Sequence, residues 1–456
     1  MEIESLLRKQ REFYNTRITD DVNYRIKKLK KLKETIKEKE ENIYEALKKD
    51  LGKSETEAYM SEIGMVLEDL SYIIKNTKKW AKKKYVSTPL AQFPATSFTK
   101  ASSYGVVLIM SPWNYPFLLT MQPLVGAISA GNCAIVKPSE YSPNTSNVMK
   151  EIIEEVFEKE YVSVILGEKE VAEELLRQNT DYIFFTGSTR VGKIVMEEAA
   201  KNLTPVTLEL GGKSPCIVDK NSDYKLAAKR IIFGKLLNCG QTCVAPDYVF
   251  VHKDIKNEFI EYMKEYIKKF LGEKPLENEE YPKMINERQF DRMVDIIEKD
   301  DVVFGGKYDK KILKIEPTIL DNKNMNSKAM REEIFGPILP VITYKDIKEV
   351  INYINSNPKP LALYLFTKDK KIENLILDQV SFGGGCINDT IIHLATTKMG
   401  FGGVGYSGMG AYHGKFSFDT FSHYKSIVKK SNLIDLPMRY HPYTKLNDKL
   451  IKMFMK

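Results

Sequence analysis

The chain reads as an α/β protein of two parallel-sheet lobes. Three observations predict this. From residue 105 short apolar strands alternate with helical segments, which is the pattern of a parallel sheet covered on both faces. A second alternating series begins after Gly212. The 456 residues are also too many for one ordinary core, so two or three lobes are expected.

Residues 24–50 carry Ile26, Leu29, Leu32, Ile36, Ile43 and Leu47 near helical spacing, with Lys and Glu between them. A second helical stretch covers about 55–83. Residues 84–99 change character: Tyr85, Val86, Thr88, Pro89, Pro94, Thr96 and Phe98 predict an extended crossing segment. The first series then has strands at 106–110, 134–136, 162–166, 182–185 and 206–210. Helices are predicted between them at 116–130, 143–157, 170–178 and 190–201. The second series has a helix at 223–237, a strand at 248–251 and a helix at 254–270. Further strands are expected at 302–304, 317–320, 338–343, 362–366 and 384–387. No internal repeat or low-complexity linker interrupts the pattern. Ligands of such sheets bind beyond the carboxyl ends of the strands.

Composition narrows the function class. At 43% hydrophobic and 29% charged, with net charge +8, the chain reads as globular and soluble. Its lysine-rich stretches around 27–39 and 76–84 read as solvated helix faces. No aromatic residues interleave them as nucleic-acid stacking requires, so no nucleic acid is expected. The five cysteines (133, 216, 239, 243 and 386) lack paired zinc spacing, so neither a metal site nor a disulfide framework is predicted, and a reducing cytoplasm is. The acidic start Met1-Glu2-Ile3-Glu4 has no apolar signal region. No run approaches a membrane span, and the tail Leu450–Lys456 is too short to be an anchor.

Four segments carry chemistry. Asn238-Cys239-Gly240-Gln241-Thr242-Cys243 is a glycine-containing turn between a helix and a strand. A thiol there suits attack on a carbonyl, although a buried structural cysteine is the commoner case. Pro112-Trp113-Asn114-Tyr115-Pro116 follows the first strand of the series. The Asn114 amide either donates a hydrogen bond at the strand's carboxyl end or caps the next turn. Leu208-Glu209-Leu210-Gly211-Gly212 places a carboxylate in an apolar strand end, where it needs work or a partner. Burial would raise its pKa and suit it to be a general base; the plainer reading is a pair with a lysine. Gly187-Ser188-Thr189-Arg190-Val191-Gly192 opens a helix whose free N–H groups suit a pyrophosphate, yet it is not the usual dinucleotide fingerprint, and a glycine turn before a helix is common. Six glycines between Gly400 and Gly410 form a backbone-shaped loop near a ligand or another chain.

Together these segments resemble the aldehyde dehydrogenase superfamily. Gly240-Gln241-Thr242-Cys243 and the stretch from Gly400 to Lys425 are most similar to its class 3 branch. The resemblance runs from about residue 105 to 425. It implies a Rossmann-like cofactor domain at 1–83 and 103–208, a catalytic α/β domain at 209–398, and a bridging, oligomerising β arm at 84–102 and 399–456. It implies Cys243 as nucleophile, Asn114 with the Cys243 N–H as oxyanion donors, and Glu209 as base. Ser111, Trp113, Lys137, Glu140, Gly187, Ser188, Gly192, Glu333 and Phe335 would meet the cofactor. Lys137-Pro138-Ser139-Glu140 would face the adenosine ribose. Glu140, which would repel a 2′-phosphate, leans the choice to NAD, while Lys137 keeps NADP open. Tyr59, Tyr115, His393 and Phe401 are expected in the substrate pocket, with Trp113 near its wall. The expected reaction is oxidation of medium or long aliphatic, or aromatic, aldehydes by a homodimer. Two rivals stand beside it. CoA-acylating relatives usually lack the glutamate found here as Glu209. A binding protein that kept the fold would have lost the chemistry.

Overall fold

The alternation read from residue 105 onward builds a six-stranded sheet. The computed structural model describes residues 2–322 and 324–455; Met1 and Lys456, the ends of the start and tail read above, and Lys323 lie outside the described residues. In spatial order the sheet runs Gly408–Met409, Val206–Leu210, Tyr182–Gly187, Val106–Met110, Cys133–Lys137 and Val162–Val164. All neighbours are parallel except Gly408–Met409, which pairs antiparallel with Val206–Leu210. The chain moves outward from Val106–Met110 to Val162–Val164, then returns to add Tyr182–Gly187 on the other side. The order therefore reverses between Val106–Met110 and Tyr182–Gly187, and a crevice opens beyond their carboxyl ends. The loop leaving the first end is 111–115, and the second end passes through Ser188 alone into helix Thr189–Lys201.

Helix Pro116–Ala130 leaves this crevice with all its residues buried. It has no polar face because it is covered on every side, by the sheet and by helices Gly64–Trp80 and Lys415–Thr420. Gly126 permits the last contact, since a Cβ there would stand 2.7 Å from the Ser417 Cβ. Ahead of the sheet, the helical stretch expected at 24–50 is two helices, Val22–Glu38 and Glu40–Leu51. The stretch expected at 55–83 is Glu55–Ala58, a π-helical turn Tyr59–Ile63, and Gly64–Trp80. Such turns insert one extra residue and re-aim side chains, often at functional sites.

The second sheet runs Val302–Phe304, Thr318–Asp321, Ile338–Tyr344, Tyr248–His252, Pro215–Val218, Ala362–Phe366 and Gly384–Ile387. Only its first pair is antiparallel. Pro215–Val218 is a central strand that the sequence pattern did not predict. A third sheet joins Lys84–Val86, Ala95–Ser103 and Ser422–Lys430. Its long pair is antiparallel in continuous register from Ser422 opposite Ser103 to Lys430 opposite Ala95. Tyr85, Val86, Phe93, Ile427 and Val428 are exposed on or beside it. Among the described residues no helix is long and apolar enough to cross a membrane.

Candidate active site

Helix Tyr224–Leu236 ends in three successive left-handed residues, Asn238 (φ 51°), Cys239 (φ 55°) and Gly240 (φ 73°). Two of these are not glycine, and each such residue costs on the order of 1–3 kcal/mol. Buried hydrogen bonds offset that cost. Glu57 Oε1 accepts the Asn238 N–H at 2.7 Å. The Gln241 side chain bonds the carbonyls of Asn238 (3.1 Å) and Lys283 (3.0 Å) and accepts the Ile285 N–H (3.0 Å). Gly240 has no room for a side chain, because a Cβ would collide with the Gly336 carbonyl. The space it leaves is filled by backbone rather than opened to substrate.

The coil carries Cys243 to the meeting point of two cavities. The first, of about 540 Å³, is lined by Pro112, Trp113, Asn114, Gly187, Ser188, Glu209, Cys243, Arg292, Glu333 and Phe335, with others. The second, of about 230 Å³, is almost wholly apolar; Met60, Met65, Tyr115, Leu118, Phe233, Ile391 and Leu394 help to line it. Leu119, Cys243, Phe401 and Tyr412 border both. The thiol thus borders a cleft that carries the charged groups Glu209, Arg292 and Glu333 on one side and an apolar pocket on the other.

Three groups surround the thiol. Asn114 does not cap the following helix. Its Nδ2 crosses to the Gln241 carbonyl at 3.0 Å, while Glu62 Oε2 accepts the first helical N–H groups, of Phe117 and Leu118, at 2.9 and 3.1 Å. Glu209 is buried, and neither carboxylate oxygen has a hydrogen-bond partner among the described residues. The lysine pairing that would have made it structural is not there, and burial alone pushes its pKa well up. Burial, then the carboxylates of Glu333 and Glu209, push the Cys243 thiol up to about 12.

Glu333 lies across the cleft. Its Oε1 is buried without a partner, and burial with Asp247 nearby pushes its pKa up to about 8. Asp247 is itself paired with Lys213 and accepts the Ile334 N–H at 2.8 Å, which fixes the turn behind Glu333. Phe335 has φ 51° and meets Trp113 edge-on, ring centroids 5.4 Å apart. Ser188 caps helix Thr189–Lys201 by accepting the Val191 N–H at 3.4 Å.

The other expected residues fall elsewhere. Ser111 Oγ is taken by Thr120 Oγ1 at 2.6 Å, and Lys137 pairs with Glu140 at 2.9 Å; none of these lines the 540 Å³ cleft. Gly192 is a packing glycine, since a Cβ would stand 2.6 Å from Leu210 Cδ2. Of the expected pocket residues, Tyr115 and Phe401 line the apolar cavity. Tyr59 lies exposed on the π-helical turn and lines neither cavity. His393 stands behind the wall, its ring 6.0 Å from Phe401 and its Nδ1 3.6 Å from Cys386 Sγ. His413, stacked on Phe401 at 5.5 Å, takes the place in the wall. Arg292 and most of the apolar lining, Met60, Met65, Leu118, Phe233, Ile391 and Leu394, were not singled out by sequence. They come from segments far apart in the chain, and no local pattern marks them; Tyr412 lies within the Gly400–Lys425 stretch but had no role assigned.

The aldehyde dehydrogenase family model matches residues 3–427. The chain belongs to the aldehyde dehydrogenase family. It is 47% identical to the 4,4′-diaponeurosporen-aldehyde dehydrogenase of Staphylococcus aureus, over 100% of this chain and 99% of that protein. It is 42% identical to a dimeric NADP-preferring aldehyde dehydrogenase of Canis lupus familiaris, over 96% and 98% of the two. A solved structure of the substrate-bound state of Staphylococcus aureus AldH superimposes with a TM-score of 0.98 at 47% identity, covering 100% of this chain and 99% of that one. Like its family, the enzyme is an NAD(P)-dependent aldehyde dehydrogenase that converts aldehydes to carboxylic acids. The cleft fits a dinucleotide: it has a helix N-terminus at Ser188, an orphaned buried carboxylate at Glu333 and two aromatic rings at Trp113 and Phe335.

Proposed function

We propose that the enzyme oxidises medium- to long-chain aliphatic or aromatic aldehydes through a covalent thioester on Cys243. The observation that carries this reading is the placement of Cys243 between an apolar pocket and a cleft that carries charged groups. An apolar tail in the pocket loses its hydration, a gain of about 0.8 kcal/mol per buried CH₂, and brings its carbonyl to the thiol. Cys243 Sγ, after its proton leaves to solvent through the cleft, attacks that carbon and gives a thiohemiacetal anion. The charge on the carbonyl oxygen is met by Asn114 Nδ2 and the Cys243 N–H; one such donor is typically worth about 10²–10³ in rate. NAD(P)⁺, when bound in the cleft, supplies the hydride acceptor. Glu209, whose raised pKa makes it a stronger base once ionised, takes a proton from the water that hydrolyses the thioester. Glu333 would hold the nicotinamide ribose, with Phe335 and Trp113 beside the ring.

NAD is the favoured cofactor, because Glu140 is paired with Lys137 at the end of its strand and leaves little free positive charge for a 2′-phosphate; the same lysine keeps NADP open. Five unpaired thiols fit a reducing cytoplasm, and the exposed apolar residues of the arm sheet fit a homodimer.

The test is NADH formation with a ladder of straight-chain aldehydes, repeated with NADP and with CoA added. The expected result is kcat/KM rising with chain length and indifferent to CoA. Flat chain-length dependence would overturn the pocket assignment, and turnover only with CoA would replace water by a thiol as the acyl acceptor.

A further inference from the structure

A buried polar network stands behind Asn114, and its members Lys53, Glu62 and Asn238 line neither cavity. Lys53 and Glu62 form an ion pair at 2.5 Å with both side chains fully buried. Lys53 Nζ also donates to the Asn114 carbonyl at 3.3 Å. Asn238 Nδ2 donates to the same carbonyl at 2.7 Å and to the Gln241 carbonyl at 3.1 Å. The second oxygen of Glu62 takes the N–H groups that follow Asn114, those of Phe117 and Leu118. Lys53 lies 3.9 Å from the Tyr115 ring centroid, and the Tyr115 hydroxyl meets Thr242 Oγ1 at 2.7 Å.

A buried ion pair is a poor source of stability, because desolvation consumes most of the Coulombic gain. What this one provides is geometry. The donors and acceptors of the network end on the carbonyl of Asn114 or on the backbone immediately beyond it, and on the coil that carries Cys243. Asn238 occupies a left-handed conformation, and in that position its amide spans both segments. The Asn114 amide has two N–H donors. The Gln241 carbonyl takes one, which sets the amide plane and frees the other. We propose that Lys53, Glu62 and Asn238 are positioning residues that aim the Asn114 amide at the oxyanion of the aldehyde adduct; this rests on the role given to Asn114 above.

The test is a double-mutant cycle on the pre-steady-state burst of NADH formation. Asn238→Gly is the main variant: glycine takes the same φ, keeps the backbone N–H bonded to Glu57, and removes only the side-chain donor. Asn114→Ala is expected to slow the burst by about 10²–10³. Asn238→Gly is expected to slow it by about tenfold or more, since small misplacements at a reacting centre cost up to roughly 10². Adding Asn238→Gly to Asn114→Ala is expected to cost less than about twofold, because its effect passes through the missing amide. Iodoacetamide labelling of Cys243 and cofactor binding are expected to stay at wild-type values in Asn238→Gly. Multiplying losses in the double variant, or an unchanged burst in Asn238→Gly, would overturn the proposal while leaving Asn114 in place. An unchanged burst in Asn114→Ala would instead remove the oxyanion role itself. Should Asn238→Gly fail to fold, Lys53→Met combined with Glu62→Leu enters the same cycle with the same expected non-additivity.

Discussion

Cys243 and Cys133 are pushed to about the same pKa, near 12, by burial. Acidity therefore does not separate the proposed nucleophile from a core thiol, but access does. Cys243 borders two cavities, while Cys133 begins a strand buried on both faces. Cys239, four residues earlier, is fully buried against the Tyr281 hydroxyl at 3.3 Å and reads as a packed loop residue. Glu209 separates function from stability in a measurable way. Its folded pKa lies well above its unfolded value of about 4.3. It therefore holds its proton more tightly when folded. Its contribution to stability is complete below pH ~4.3 and is lost as pH rises towards the folded value. Glu209→Gln stays neutral throughout. The melting temperature of the variant is expected to match wild type near pH 4.5 and to exceed it by a margin that widens up to pH 8. A gap independent of pH would show that Glu209 is not a partnerless buried carboxyl.

At the scale of elements, the strand–helix alternation after residue 105 is legible because each strand is a short apolar run and each helix has turn residues at its ends. Helix Pro116–Ala130 is bounded by its proline and by Gly131, which has φ 97°. Pro215–Val218 is not legible in the same way: it is four residues long, starts with proline and follows Gly211-Gly212, so periodicity has nothing to work on. The π-helical turn Tyr59–Ile63 is hidden for another reason. It keeps helical composition, so no residue type marks the inserted turn on which Tyr59 stands exposed. Gly192 shows motif and mechanism parting company. Its lack of a side chain serves the packing of helix Thr189–Lys201 on Leu210. Gly192→Val is expected to push that helix away, costing about 1–3 kcal/mol and raising cofactor KM. The labelling rate of Cys243 should stay unchanged. Loss of labelling would mean that the helix supports the thiol coil and not the cleft alone.

For the whole molecule, the site is one that neither sheet holds alone. The six-stranded sheet supplies Asn114, Gly187 and Glu209 at or beyond strand ends. The second half of the chain supplies Cys243, Glu333 and Phe335. Asn114, Gly187, Glu209, Cys243 and Glu333 were legible because each lies in a short motif with a chemical reason, while Arg292 lies in none. Of the apolar half only Tyr115 and Phe401 were legible; Met60, Phe233 and Ile391 are brought together only by the fold, and the Lys53–Glu62 pair is ordinary in sequence until its burial is seen. The central step of the proposed reaction is a thioester on Cys243 that forms in this site and is hydrolysed with Glu209 as base. Rapid mixing of Glu209→Gln with aldehyde and NAD⁺ addresses it most directly. The expected trace is a burst of NADH equal to the enzyme concentration, then a steady rate slowed by about 10² or more, with no burst when Cys243→Ala is added. A steady rate equal to wild type with no burst would contradict it.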